Sequence, residues 1–150
     1  MRRFASAIAF AALGLSACGQ GGGGAPAAPS AEAKRLLAEL PAPYNQADLA
    51  NGEAHFSLCR ACHTIIQGGA NMTGPNLYGV FGRKAASKAD YNYSDALKAK
   101  AVIWDAGTLN QWLAGPRAFA PGTKMSFVGI KDATDRRDVI GYLKVASSGG

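Results

Sequence analysis

Cys59-Arg60-Ala61-Cys62-His63 decides how this chain is read. Two thiols three positions apart, with a histidine directly after the second, form the pattern of c-type haem attachment. The spacing has a geometric reason. On a helical turn both sulfurs reach the two vinyl groups of one porphyrin, and the imidazole of His63 swings beneath the iron. One pentapeptide thereby supplies two covalent bonds and a proximal ligand. A Cys-x-x-Cys pair also serves in redox disulfides and zinc sites. A redox site expects a βαβ context that the sequence lacks. A zinc site needs further ligands, yet beyond Cys18 and His55 the chain holds no other Cys or His. A plain disulfide is the remaining alternative.

The chain has 150 residues, room for one domain and its appendages, since domains commonly run to about 100 to 150 residues. An apolar fraction of 48% with 17% charged residues suits a globular protein, and the 19 glycines concentrate in linkers and loops. Formal net charge is +6; without Arg2 and Arg3 the balance is 14 basic against 10 acidic residues, or +4. Such a surplus gives weak attraction to acidic protein surfaces. It lacks the dense Lys/Arg clusters of nucleic-acid binding, so no nucleic-acid partner is expected.

Residues 1–17 have a basic start, an apolar run from Phe4 to Leu15 and small residues before Cys18, the pattern of a secretory signal. The run is shorter than the roughly 20 residues that span a bilayer. Leu15-Ser16-Ala17-Cys18 resembles the lipobox of bacterial lipoproteins, in which the cysteine is lipid-modified and begins the mature chain. The alternative is an ordinary signal peptide cut nearby, with Cys18 incidental. Residues 18–43 then read as the lipidated cysteine and a flexible linker, and 44–150 as the folded domain. Within the linker, Ala31 to Leu40 has helix-forming composition with Leu36, Leu37 and Leu40 on one side, and reads either as a short helix or as more linker. Fully stretched, 18–43 spans about 80 Å.

Asp48 is positioned to cap a helix that passes Leu49, Gly52 and Phe56 and enters the attachment motif. From Gln67 to Gly82, Gly and Pro predict a loop able to wrap a haem. Thr108 to Ala114 reads as a helix capped by Thr108 and stopped by Gly115-Pro116. Thr134 to Val145 reads as another, capped by Asp132 or Thr134. No stretch alternates as a strand. For the iron's sixth position, Met72 lies only nine positions after His63, whereas Met125 lies 62 positions after it, far enough for the chain to travel round the macrocycle. Pro121-Gly122-Thr123-Lys124-Met125 forms a loop suited to presenting a thioether. Met72 reads as gap filling or an exposed loop side chain. His55 is too near Cys59 on the same helix to compete, and is expected at the surface. Ligation by His and Met fills both axial sites and favours electron transfer over catalysis.

These residues resemble class I, mitochondrial-type cytochrome c, including its membrane-anchored bacterial forms. The resemblance covers about Asp48 to Ala146. It rests on an ordered series: the attachment pentapeptide, Thr73-Gly74-Pro75-Asn76-Leu77, Gly79-Val80-Phe81-Gly82-Arg83-Lys84, Trp104, Pro121 to Met125, Phe127-Val128-Gly129-Ile130, and Asp138-Val139-Ile140-Gly141-Tyr142-Leu143-Lys144. It implies an all-α fold of short helices and loops around one covalent haem c ligated by His63 and Met125, with the terminal helices crossing where Gly52 and Phe56 meet Val139 and Tyr142. It further implies that Pro75 accepts a hydrogen bond from His63. Tyr93, Trp104 and Thr123 would donate to buried propionates near Arg83, and Phe127 would cover the haem beside Met125. Two departures stand out: Trp112 replaces a usual Tyr, and Leu97 a usual Asn. The ring of lysines round the haem edge is thin. Lys124, Lys131 and Arg117 match it, but Leu58 and Met72 are neutral.

The resulting expectation is a non-enzymatic, single-haem carrier, monomeric, passing one electron at a time between respiratory or photosynthetic membrane complexes, from a quinol-oxidising donor to a terminal oxidase or similar acceptor. It would be exported and held by the lipid on Cys18 at the periplasmic face of the cytoplasmic membrane. Two rivals are a haem peroxidase or gas-binding sensor with a labile Met125, and a haem domain dedicated to one periplasmic dehydrogenase.

Overall fold

The computed structural model describes residues 28–148. Residues 1–17, read above as a secretory signal, and Cys18 lie outside this range. Among the described residues six helices follow one another: α1 (Ala31–Ala38), α2 (Leu49–Arg60), α3 (Asp95–Lys98), α4 (Ala106–Ala114), α5 (Pro116–Phe119) and α6 (Ala133–Ala146), with a 3-10 turn at Tyr44–Gln46. Among the described residues there is no strand, only an isolated antiparallel bridge between Lys84 and Ile103. The fold is all-α, as the sequence predicts.

The crossing of α2 and α6 sets the frame. The carboxylate of Asp48 caps α2 by accepting from the backbone N–H groups of Ala50 and Asn51, and Asp132 caps α6 through those of Thr134 and Asp135. Each supplies acceptors for N–H groups that have no partner within the helix. The crossing is close because α2 presents Gly52: a Cβ there would overlap the Asp138 carbonyl and lie 2.8 Å from Cβ of Tyr142. The backbone of Asp138 therefore meets Gly52, where the sequence points to Val139. Phe56 stacks on Tyr142 with ring centroids 5.3 Å apart. Phe56, Val139 and Ile140 are fully buried, a burial that stabilises the fold by about 1.5–3 kcal/mol per side chain.

Two sequence readings need correction. For residues 31–40 the short helix is the alternative the structure shows, against the linker bounds 18–43: Ser30 caps α1, and Leu37 and Leu40 belong to the same buried cluster as Phe56, Val139 and Leu143, so the packed structure begins before residue 44. In α4 the cap is Asp105, not Thr108. Asp105 accepts from the Thr108 N–H while the Thr108 hydroxyl accepts from the Asp105 N–H, a reciprocal capping box. Gly115 does end that helix, but Pro116 opens the next at a position where its missing N–H costs nothing.

Candidate haem site

The last turn of α2 carries Cys59, and the chain tightens past it, with the N–H groups of Cys62 and His63 both donating to the Cys59 carbonyl at 3.0 Å. That turn aims three side chains into a cavity of about 310 Å³ enclosed by α2, α4, α6 and the loops between them. Both thiols are free. The other walls are largely apolar: Phe56, Leu77, Val80, Leu109, Leu113 and Leu143 line it, a composition and size suited to a large flat ligand.

All ten residues named from the sequence reach this one cavity: Cys59, Cys62, His63, Pro75, Arg83, Tyr93, Trp104, Thr123, Met125 and Phe127. The ring Nδ1–H of His63 donates to the Pro75 carbonyl at 2.7 Å, which turns the other ring nitrogen toward the cavity. The ring packs flat against Gly74, where an added Cβ would lie only 2.6 Å from Nδ1. Burial holds the His63 pKa below its ordinary value, opposed in part by the Pro75 bond, so the ring favours the neutral form that binds a metal. The Cys59 thiol is pushed up to about 11, first by burial and then by neighbouring Cys62.

The loop bearing Pro75 has no helix of its own and is held by side chains. Asn76, 3% exposed, donates to the Thr64 hydroxyl and the Ile66 carbonyl while its amide oxygen accepts from the Tyr78 N–H. Asn71 accepts from the Asn76 N–H and donates to the Asp90 carbonyl, and the Tyr91 hydroxyl donates to the Thr73 carbonyl. Arg83 donates to the carbonyls of Tyr78 and Asn76, bonds that fix the guanidinium at the cavity wall without neutralising it. A fixed cation in an apolar cavity suits an anionic group such as a propionate. Tyr93 is raised by burial, with Arg83 pulling the other way. Met125 comes from the loop before α6, its N–H donating to the Thr123 hydroxyl at 3.3 Å. Trp104 stacks on Phe119 with centroids 6.1 Å apart and meets Trp112 at a tilt, 5.7 Å away.

Met72 lies outside the cavity and is 47% exposed. His55 also lies outside, but it is half-buried and not the free surface residue expected. Its Nδ1 donates to the Asn51 carbonyl and its Nε2 lies 3.3 Å from Asp135. Among the described residues no group of three or more His, Cys, Asp or Glu side chains is placed to hold a metal ion. Trp112 and Leu97, the two departures, both line the cavity. Tyr91, Asn71 and Asn76 escaped the sequence reading of the site, since a loop without periodicity does not reveal which polar side chain is buried.

Residues 49–147 match the family model described as cytochrome c. The chain belongs to the cytochrome c family. Over 105 residues it is 42% identical to cytochrome c of Kluyveromyces lactis, covering 69% of this chain and 96% of that protein. It is 48% identical over 104 residues to cytochrome c of Theileria annulata, covering 69% of this chain and 90% of that one. The fold superposes on cytochrome cH from Methylobacterium extorquens with a TM-score of 0.61 at 49% identity, covering 65% of this chain and 97% of the other. The protein is thus a single-haem electron carrier of the class I cytochrome c fold and not an enzyme, with one covalent c-type haem ligated by a His and a Met. Free thiols, a neutral imidazole, a thioether and a fixed cation on one apolar cavity fit that group.

Proposed function

We propose that this cytochrome c binds haem through Cys59 and Cys62, ligates its iron with His63 and Met125, and carries single electrons, as a monomer, from a quinol-oxidising membrane complex to an oxidase or similar acceptor. The haem supplies a one-electron iron couple. The protein holds it in a fixed, largely apolar cavity, where Pro75 orients His63 and Arg83 sets a positive charge. Tyr93, Trp104 and Thr123 offer polar groups for the propionates, and Phe127 covers the side carrying Met125. His63 and Met125 would together hold the iron from the chain's own side chains, leaving no place for a substrate and favouring electron transfer with little rearrangement of the protein.

The observation that carries this reading is the convergence of Cys59, Cys62, His63 and Met125 on one cavity. Met125→Ala is expected to abolish the absorption band of methionine-bound ferric iron and to make cyanide bind rapidly. Persistence of the band would overturn the ligand assignment.

We further infer export and attachment through a lipid on Cys18 to the periplasmic face of the cytoplasmic membrane. The basic start, apolar run and lipobox-like Leu15-Ser16-Ala17-Cys18 support this, and c-type haem is attached in the same compartment. Among the described residues no helix is long and apolar enough to cross a membrane.

A further inference from the structure

Residues 30–48 precede the stretch matching the family, yet they are packed. An eight-residue helix such as α1 does not hold itself together in water, so docking must sustain it. Its contacts trace a U along α6. Leu37 approaches Gly141, where an added Cβ would lie 3.1 Å from the Leu37 side chain, and Glu39 pairs with Lys144 at 2.7 Å. The chain turns at Pro41, whose carbonyl accepts from the Tyr44 N–H. It then returns past Gly141, where an added Cβ would overlap Ala47, to Asp48, whose N–H donates to the Asp138 carboxylate at 3.0 Å. Gly141 admits both limbs because it has no side chain.

The opposite side of α6 faces the haem. Leu143 lines the haem cavity and stands two positions from Gly141. At about 100° per residue the two point roughly 160° apart around the helix.

We propose that residues 30–48 are a clasp that presses α6 against the haem cavity. The clasp is a device for keeping the haem pocket shut: α6 cannot swing outward without breaking Leu37 and Ala47 from Gly141 and Glu39 from Lys144.

The test uses the full-length holoprotein carrying Leu37→Asn. Amide hydrogen exchange across α6 is expected to quicken at least tenfold, ferric thermal unfolding to fall by about 5–10 °C, and cyanide to displace the sixth ligand several-fold faster. Should Leu37→Asn fail to accumulate as holoprotein, Leu37→Ala is expected to give the same changes in smaller measure. Unchanged α6 exchange and an unfolding midpoint within about 1 °C of the parent overturn the proposal. The cyanide measurement rests on Met125 as sixth ligand. The exchange and thermal measurements do not, so an error in that ligand assignment would show itself separately from an error in the clasp.

Discussion

Asp138 is 1% exposed, and a carboxylate so placed needs partners at every lone pair. Oδ1 accepts from the Asp48 N–H at 3.0 Å and from Arg137 through Nε at 2.7 Å and Nη2 at 2.6 Å, and Oδ2 accepts from the Asn51 amide at 2.9 Å. The side chain thereby ties the start of α2 to the middle of α6. Asp138→Ala leaves the backbone and amide donors without acceptors and is expected to cost about 3 kcal/mol, with Asp138→Asn costing less, read from denaturant unfolding of the ferric holoprotein. The sequence marks Asp138 only as the first residue of a motif. Its burial arises where two distant helices cross, and no local pattern reports that. The attachment motif is the opposite case: Cys59, Cys62 and His63 carry their chemistry in their spacing, so they are legible without any tertiary knowledge.

Helix caps show the same division one scale up. α2 and α6 are legible because a capping Asp precedes each apolar face, and the structure places Asp48 and Asp132 at those caps. The start of α4 is misread because Thr108 is a good cap in isolation, whereas the Asp105–Thr108 pair satisfies more donors. α1 is ambiguous from sequence because docking, not propensity, decides between helix and linker. Asp105 also titrates. The hydrogen bond from the Thr108 backbone is the largest influence and holds the carboxyl below the usual range; burial opposes it, and the Thr108 side chain adds a smaller lowering effect. Its folded pKa lies below the unfolded value of about 3.9, so its contribution is complete above that value and lost as pH falls through the folded pKa. Asp105→Ala should therefore cost about 1 kcal/mol at pH 7 and progressively less below about pH 4, measured by denaturant unfolding across that range.

For the molecule as a whole, the long order of motifs makes the site legible: ten residues spread from Cys59 to Phe127 reach one cavity. What holds the connecting loop, Asn71, Asn76 and Tyr91, is legible only in three dimensions. The surface offers little directed charge near the haem. Lys124 and Lys131 donate to the carbonyls of Asn92 and Ala114, while Leu58 is 60% and Val128 78% exposed. Attachment to the membrane through Cys18, as proposed, would lessen the need for long-range steering. Cys18→Ser is expected to move the haem protein from the membrane fraction to the soluble fraction with its spectrum unchanged, checked by fractionation and absorption. Retention on the membrane would refute attachment through that residue.

With the anchor proposed at Cys18, the folding of α1 onto α6 would also set a search volume. A tether of 18–43 would reach at most about 80 Å fully stretched; with the packed domain beginning at Ser30, the limit would be about 40 Å. Halving the radius cuts the accessible volume about eightfold and raises the encounter frequency with any complex inside it by a similar factor. The same shortening would put complexes beyond that radius out of reach, so an anchored clasp would select partners by distance before any surface is recognised.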